Sequence, residues 1–233
     1  RQMCIRDRIT NVSHDIKTPL TSIINYVDLL KRENIQDPKI QGYLDILEAK
    51  AQRLKHLTED VVEASKISSG NITMEYMNIN FVEMINQTTG EFAEKFEKRN
   101  LQIVLNVPEK PVMVRTDGRR MWRVIENIYN NAAKYALEGT RVYADLIEKE
   151  HTVEFSLKNI SEQPLNISAD ELTERFIRGD VSRSTEGSGL GLSIAKNLTE
   201  LQGGKFELYL DGDLFKVTIV FPKAVVGQSV TKS

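Results

Sequence analysis

His14 stands in the stretch Ser13-His14-Asp15-Ile16-Lys17-Thr18-Pro19-Leu20, whose residue types suit nucleophilic chemistry. Neutral imidazole is present at cell pH and can act as a nucleophile. The carboxylate of Asp15 can accept the proton that a ring nitrogen loses, or fix the tautomer. His14 precedes the apolar position Ile16 by two residues, which places it on the outer face of a helix, with Thr18 one turn further on. The alternative interpretation is a surface histidine without a role.

Asn127 and Asn131 form a second candidate group, on a helix predicted for residues 118–137. They are four residues apart and therefore share one face of the helix. Their amide oxygens can ligate Mg²⁺, a hard cation that prefers oxygen ligands and retains some of its water. Lys134 lies close to the same face and can meet phosphate charge. The alternative is a pair of polar residues on a solvated helix face.

A glycine-rich loop, Gly187-Ser188-Gly189-Leu190-Gly191-Leu192, precedes a helix predicted for residues 190–201. Glycines let a backbone approach phosphates, and a helix N-terminus offers unpaired N–H groups and a positive dipole. The sequence has no Gly-x-x-x-x-Gly-Lys-(Ser/Thr) motif, which argues against a P-loop fold. A glycine loop before a helix is common by itself, but its combination with the asparagine-bearing helix is not.

Two helices must present His14, and their apolar spacing predicts a helical hairpin. In the first helix, apolar residues follow steps of four and three from Ile16 to Leu30, as in a coiled-coil seam. Asp37 and Pro38 are placed as N-cap and first residue of the second helix. That helix carries two rows at spacing seven, Ile40, Leu47, Leu54 and Val61, and Leu44, Ala51, Thr58 and Ser65. Such a narrow seam favours a homodimer that closes a four-helix bundle; the alternative is a hairpin packed on its own chain.

After Gly70 the pattern changes to mixed helices and strands. Helices are predicted for 81–98, 118–137 and 190–201, and strands for 72–79, 101–107, 112–116, 141–147, 152–157, 205–210 and 214–221. Because the strands are paired locally, we expect an α+β protein in which a helical hairpin precedes a two-layer α/β sandwich. The expected domains are residues 1–69 and 70–225, followed by a disordered tail at 226–233.

Composition narrows the functional classes. The chain has 233 residues, with 31 Lys and Arg against 33 Asp and Glu, so its net charge of −2 gives no electrostatic case for nucleic acid as a partner. The single cysteine excludes an intramolecular disulfide framework and a cysteine-rich zinc site. No apolar run reaches the ~20 residues that cross a bilayer. Since the sequence starts at Arg1, we expect a fragment of a longer protein, and residues 1–8 are candidates for non-native sequence.

The stretch around His14 closely resembles the phosphoacceptor box of the sensor histidine kinases of two-component systems, and all eight positions match. This resemblance implies that His14 is phosphorylated on a ring nitrogen and that Asp15 assists the kinase step. Thr18 matches the position that, in many relatives, orients a water for dephosphorylation of the partner response regulator.

The second half of the chain resembles the Bergerat-type catalytic ATP-binding domain of the same kinases. Asn127, Asn131, Lys134 and Tyr135 match its N box, and residues 187–192 match its second glycine box, with Gly187, Gly189, Leu190, Gly191 and Leu192 as contacts. Residues 174–180 resemble the F box, in which Phe176 anchors the ATP lid, and Arg178 and Arg183 are implied as lid arginines that reach the phosphates. One box departs from the family pattern. Asn159 replaces the aspartate that accepts from the adenine amino group, and both glycines that follow are lost.

The resemblance implies an enzyme that uses ATP and Mg²⁺ to phosphorylate His14 and then passes the phosphoryl group to an aspartate on a response regulator receiver domain. It also implies a homodimer, no nucleic-acid partner, and the cytoplasmic portion of a protein that is membrane-anchored through segments missing from this sequence. Two alternatives remain open: a phosphatase-dominant or pseudokinase module, favoured by the altered first glycine box, and a Bergerat-type ATPase without phosphohistidine.

Overall fold

The computed structural model describes residues 2–33, 35–68, 70, 72–165 and 190–224, without the side chains of residues 2–15 and 68. The chain divides into two compact units. The first contains the helical hairpin up to Ile72, and the second begins at Thr73. The expected α+β fold, a hairpin followed by an α/β sandwich, is confirmed. Among the helices that these residues form, none has the length and apolar composition that a bilayer crossing requires.

The hairpin consists of α1 (Gln2–Arg32) and α2 (Pro38–Ser68). The Asp37 carboxylate accepts a hydrogen bond from the backbone N–H of Lys39 at 2.8 Å, which confirms Asp37 as the N-cap of α2. Near the connection, Lys31 Nζ lies 2.8 Å from Asp45 Oδ1 and 2.5 Å from Glu48 Oε2, so one ammonium on α1 joins two carboxylates on α2. These ion pairs fix how the two helices align.

The two rows of apolar residues in the hairpin have different surroundings. One row is buried between α1 and α2, with Leu20, Val27, Leu44 and Ala51 only 4–7% exposed. The other row is 40–55% exposed and comprises Ile16, Ile23 and Leu30 on α1 and Ile40, Leu47, Leu54 and Val61 on α2. The hairpin therefore uses one seam for its own packing, and among the described residues it leaves a second apolar stripe, the outer row, about half exposed.

The described residues of the second unit form three helices and two sheets. The helices are α3 (Phe81–Glu97), α4 (Gly118–Tyr135) and α5 (Gly191–Leu201). The strands are β1 (Tyr76–Asn80), β2 (Gln102–Asn106), β3 (Met113–Asp117), β4 (Arg141–Glu148), β5 (Thr152–Ile160), β6 (Lys205–Asp211) and β7 (Leu214–Pro222). Strands β1 and β3 form a small antiparallel sheet, and the main sheet has the order β2-β4-β5-β7-β6.

Three details differ from the sequence predictions. The first strand begins at Tyr76 rather than Ile72, and it pairs with β3 rather than with a sequence neighbour. Pairing is not wholly local, because β2 lies parallel to β4. Helix α4 ends at Tyr135, two residues early, because Ala136 turns to an extended conformation and forms a β-bridge with Ser161.

The core lies between the helices and one face of the main sheet. Strand β5 alternates, so that Val153, Phe155 and Leu157 are buried on that face. The ring of Tyr129 on α4 stacks on Phe155 at 6.2 Å between centroids. Its hydroxyl shares a 2.8 Å hydrogen bond with Thr89 Oγ1, and burial raises the pKa of Tyr129 to about 12. This packing holds α4 firmly against the sheet.

Gly204 leads from α5 into β6 at a point where the core leaves no room for a side chain. A Cβ there would lie 2.5 Å from ring atoms of Phe221, which is itself 1% exposed. We expect Gly204→Ala to lower the free energy of unfolding by about 2–3 kcal/mol, because the buried ring must move. Urea denaturation measures this change.

Gly90→Ala serves as the matched control, since Gly90 lies within α3 and a Cβ there would meet nothing within 4 Å. We expect this control to stabilise the protein by roughly 0.5–1 kcal/mol. Equal stability of Gly204→Ala and wild type would contradict the packing described for Phe221.

Candidate functional site

Helix α4 is anchored at its N-terminus by Asp117. One carboxylate oxygen of Asp117 accepts from the backbone N–H of Arg120 at 3.0 Å, and the other accepts from the backbone N–H of Glu75 at 3.0 Å. Burial by itself would raise the pKa of Asp117, but these hydrogen bonds outweigh it and the pKa is lowered. The charged N-cap also complements the positive end of the helix. It therefore fixes where the asparagines of α4 point.

Asn127 lies at the edge of the core on α4, 8% exposed. The start of α5 approaches it so closely that a Cβ on Gly191 would lie 3.3 Å from Asn127 Oδ1. The Asn127 Nδ2 atom is buried and has no hydrogen-bond partner among the described residues. Because an unpaired buried polar atom is costly, it marks a place where a polar ligand would be stabilising.

Asn131, Lys134 and Tyr135 continue the same helix towards its C-terminus and are all half-buried. Lys134 Nζ lies 4.7 Å from the centroid of the Tyr135 ring, a cation–π contact that restrains the ammonium. The structure thus places the Asn131 carboxamide and the Lys134 ammonium within the last two turns of α4.

Asn159 is a polar residue on the buried face of β5 and is only 3% exposed. Its Nδ2 donates to the carbonyl oxygen of Ile160 at 3.1 Å, whereas its Oδ1 is buried and has no partner in the part of the chain that the structure describes. A buried acceptor without a donor suits a ligand that brings an N–H group, such as an amino group on a base.

The end of β5 and the end of α4 lie side by side. The backbone N–H of Leu137 donates to Ile160 at 2.8 Å, and that of Glu162 donates to Tyr135 at 2.8 Å. These bonds bring Asn159 next to the turn of α4 that carries Lys134. Helix α4 therefore carries Asn127, Asn131, Lys134 and Tyr135, its C-terminal end lies beside the segment with Asn159, and the start of α5, with Gly191 and Leu192, approaches Asn127. Leu190 directly precedes α5.

The donor set fits a nucleotide with Mg²⁺ better than a metal held by the protein alone. Within residues 2–33, 35–68, 70, 72–165 and 190–224, no group of three or more His, Cys, Asp or Glu residues could hold a metal ion. Amide oxygens are available instead, and they suit Mg²⁺ when phosphates and water complete its octahedron. Asn127 Nδ2 and Asn159 Oδ1, which lack hydrogen-bond partners within the described part of the chain, give the same region polar partners for a ligand.

Five of the expected site residues fall outside the described residues: Phe176, Arg178, Arg183, Gly187 and Gly189. His14 and Asp15 lie in α1, as expected, and Thr18 follows one turn later with an exposed side chain. One further residue, Arg99, contacts the C-terminal end of α4 through its guanidinium and was not predicted from the sequence. No motif signals this residue, because its partners Ala133, Lys134 and Glu162 lie 34, 35 and 63 positions away.

Comparison with protein families gives two matches. Residues 5–70 match the model described as His Kinase A (phospho-acceptor) domain. Residues 116–225 match the model described as histidine kinase-, DNA gyrase B- and HSP90-like ATPase. The first match contains His14, and the second contains all the residues gathered at α4, β5 and α5.

Known proteins resemble the chain over most of its length. It is 31% identical over 220 residues to the sensor protein VanSC of Enterococcus gallinarum, which covers 93% of this chain and 60% of the relative. Full-length ShkA in complex with AMPPNP shares the fold with a TM-score of 0.76 at 19% identity, covering 94% of this chain and 47% of that one. The histidine kinase ThkA, solved in complex with the response regulator protein TrrA, has a TM-score of 0.61 at 21% identity, covering 94% and 61%. The chain thus spans less than two-thirds of each of these proteins.

Proposed function

Because the chain belongs to the sensor histidine kinases of two-component systems, we propose that it is an ATP-dependent protein histidine kinase core. In the reaction, a ring nitrogen of His14 attacks the γ-phosphorus of ATP. The bond from that phosphorus to the β–γ bridging oxygen breaks, and ADP leaves. Asp15 holds the imidazole in its reactive tautomer or accepts its proton. The observation that carries the proposal is that one chain joins the phosphoacceptor match around His14 to the nucleotide-type site on α4.

The residues of the second unit would divide the work of holding Mg·ATP. Asn159 Oδ1, which is buried and has no partner among the described residues, would accept from the adenine amino group. The Asn127 and Asn131 carboxamides would supply oxygen ligands to Mg²⁺, and Lys134 would meet phosphate charge, next to Tyr135. The start of α5 would offer its backbone N–H groups and positive dipole, with Leu190, Gly191 and Leu192 near the phosphates. When bound, Mg²⁺ would neutralise charge that develops on the transferred group. The remaining proposed contacts are Phe176, Arg178, Arg183, Gly187 and Gly189.

We propose that the hairpin dimerises. The outer row of apolar side chains is about half exposed, from Ile16 to Leu30 on α1 and from Ile40 to Val61 on α2. The row between the two helices, from Leu20 to Val27 and from Leu44 to Ala51, is buried. A second copy of the hairpin would cover the outer row and close a four-helix bundle, which has the heptad spacing that these residues follow. We further propose that residues 1–69 form the dimerisation and phosphotransfer domain and residues 70–225 the ATP-binding domain; the tail expected at 226–233 lies outside the described residues.

The partner of phosphorylated His14 would be the receiver domain of a response regulator, whose aspartate takes the phosphoryl group. Support comes from the phosphoacceptor match and from the exposed position of Thr18 beside His14 on α1. Thr18 would orient the water that hydrolyses the phosphoryl group from that partner's aspartate, releasing inorganic phosphate. We also propose that this core is the cytoplasmic part of a longer, membrane-anchored sensor.

The test is incubation with γ-labelled ATP and Mg²⁺, followed by measurement of acid-labile label on the protein and of released phosphate. Acid-labile label on the protein is the expected result, since phosphohistidine hydrolyses in acid. Phosphate release without label on the protein would favour an ATPase. Neither product, with dephosphorylation of a phosphorylated receiver domain retained, would favour a phosphatase-dominant module.

Asn159→Ala is expected to weaken the binding of AMPPNP about tenfold, because the adenine amino group loses its acceptor in a buried site. Isothermal titration calorimetry measures the Kd at a temperature at which each variant is fully folded. Asn106→Ala is the matched control, because Asn106 lies on β2 and bonds to Asp145 instead. Unchanged affinity in Asn159→Ala would mean that the base is recognised elsewhere.

A further inference from the structure

Arg99 lies in a turn whose backbone is tightly fixed. Its N–H donates to the Phe96 carbonyl oxygen at 3.1 Å, and the N–H of Leu101 donates to the same oxygen at 2.9 Å. Asn100 adopts a left-handed conformation with φ of 50°, which turns the chain from α3 into β2. Leu101 is 5% exposed and anchors the turn in the core. The Arg99 side chain therefore starts from a defined point.

The guanidinium of Arg99 caps the C-terminus of α4. Its Nη1 donates to the carbonyl oxygen of Ala133 at 3.1 Å and to that of Lys134. The last carbonyls of a helix have no donors within the helix and carry partial negative charge. A planar cation with several donors satisfies two of them at once. The turn that Arg99 caps is the one that carries Lys134 and Tyr135 and directly follows Asn131.

The same guanidinium reaches the segment that follows Asn159. Its Nη2 donates to Glu162 Oε2 at 2.9 Å. Glu162 is also held by its backbone, whose N–H donates to the Tyr135 carbonyl oxygen. Glu162 lies in the stretch after Asn159 where this sequence lacks the glycines of the first glycine box. The ion pair between Arg99 and Glu162 thus restrains the segment that follows Asn159, the residue whose Oδ1 is the buried acceptor.

We propose that Arg99 is a positioning residue for the nucleotide site, setting the distance between Asn159 at the base end and Asn131 with Lys134 at the phosphate end. The inference rests on the proposed function, because it assigns these two groups to one nucleotide. Arg99 touches no ligand itself. It acts through Glu162 on one side and through the carbonyls of α4 on the other. A second link from the same turn, from Asn100 Nδ2 to Glu138 Oε1 at 3.2 Å, adds to the restraint.

The test compares AMPPNP affinity among variants by calorimetry, at a temperature at which circular dichroism shows each one fully folded. Arg99→Met is expected to raise the Kd about tenfold, since the two ends of the site are no longer held in register. Arg99→Lys keeps the charge but not the planar fork, and is expected to recover part of the loss. Lys98→Met is the matched control. Lys98 is the neighbouring cation, and its ion pair goes to Glu94 one turn back on α3, so the Kd should stay at the wild-type value.

Glu162→Gln weakens the ion pair between Arg99 and Glu162 but leaves the Arg99 cap on α4 in place. It is the variant to use if Arg99→Met does not fold. It is expected to raise the Kd about threefold, and to have no further effect in the Arg99→Met background, because the two side chains form one link. Wild-type affinity in both single variants, or strictly additive effects in the double variant, would overturn the positioning role while the proposed function stands. Failure of wild type to bind AMPPNP would instead refute the proposed function and the positioning role with it.

Discussion

His14→Gln is expected to abolish acid-labile labelling of the protein by γ-labelled ATP, a loss of at least about a hundredfold. The reason is chemical, because glutamine has similar polarity but no ring nitrogen that can accept a phosphoryl group. Nucleotide binding should be unaffected, since the site on α4, β5 and α5 does not include this residue. Labelling is measured after separation of the protein by electrophoresis, and AMPPNP affinity is measured in parallel.

The chain supplies its own matched controls for this experiment, since it contains only three histidines. His56 is exposed on α2, and His151 is exposed in the connection between β4 and β5. His56→Gln and His151→Gln should both be labelled like wild type. Persistent labelling of His14→Gln would show that the phosphoryl group goes to another residue, and equal loss in all three variants would point to an effect on folding.

Helix α4 shows what a sequence of this kind allows one to predict. Val124, Ile125 and Ile128 define an apolar face, and Asn127 and Asn131 share another, so the helix and its core side could be predicted from spacing, while the site on the asparagine face stays a prediction. The structure buries the three apolar residues as expected. It also shows why Asn159 stands out: it follows Val153, Phe155 and Leu157 at alternate positions, so a polar residue continues a buried face.

Long-range pairing could not be predicted in the same way. Strand β2 pairs in parallel with β4, whereas the sequence around Pro108 and Pro111 indicates only that two strands flank a break. The strand after that break, β3, instead pairs with β1, more than thirty residues earlier in the chain. The contacts of Arg99 could not be predicted for the same reason, because its partners are backbone carbonyls and a carboxylate that only the fold brings close to it. Periodicity reports which face of an element is buried, but not which distant element covers it.

The two apolar rows of the hairpin illustrate the difference between spacing and burial. By spacing alone, Leu44 and Leu47 belong to two rows on α2 that cannot be told apart, because each row repeats every seven residues. The structure separates them, with Leu44 at 5% exposure inside the hairpin and Leu47 at 51% on its outside. Variants can therefore be directed at the outer row without disturbing the contact between α1 and α2.

The double variant Leu47→Asp with Leu54→Asp is expected to convert the proposed dimer to a monomer. Burying the exposed half of a leucine contributes roughly 1 kcal/mol, and a symmetric dimer contains four of these side chains. Their loss lowers the free energy of association by about 4 kcal/mol, which corresponds to roughly a thousandfold in Kd. Burying four carboxylates near one another adds a further penalty. Sedimentation velocity, over a range of protein concentrations, measures the change in mass.

The control is His56→Asp, which places the same charge on α2 at an exposed position on the opposite side of the helix from Leu47 and Leu54. It should remain dimeric. Because Leu20, Val27, Leu44 and Ala51 are unchanged, the double variant should keep its helical circular dichroism while losing its partner. A double variant that stays dimeric would show that the outer row is not the dimer interface. A double variant that loses its helical signal would show that the outer row is needed to hold α1 and α2 together.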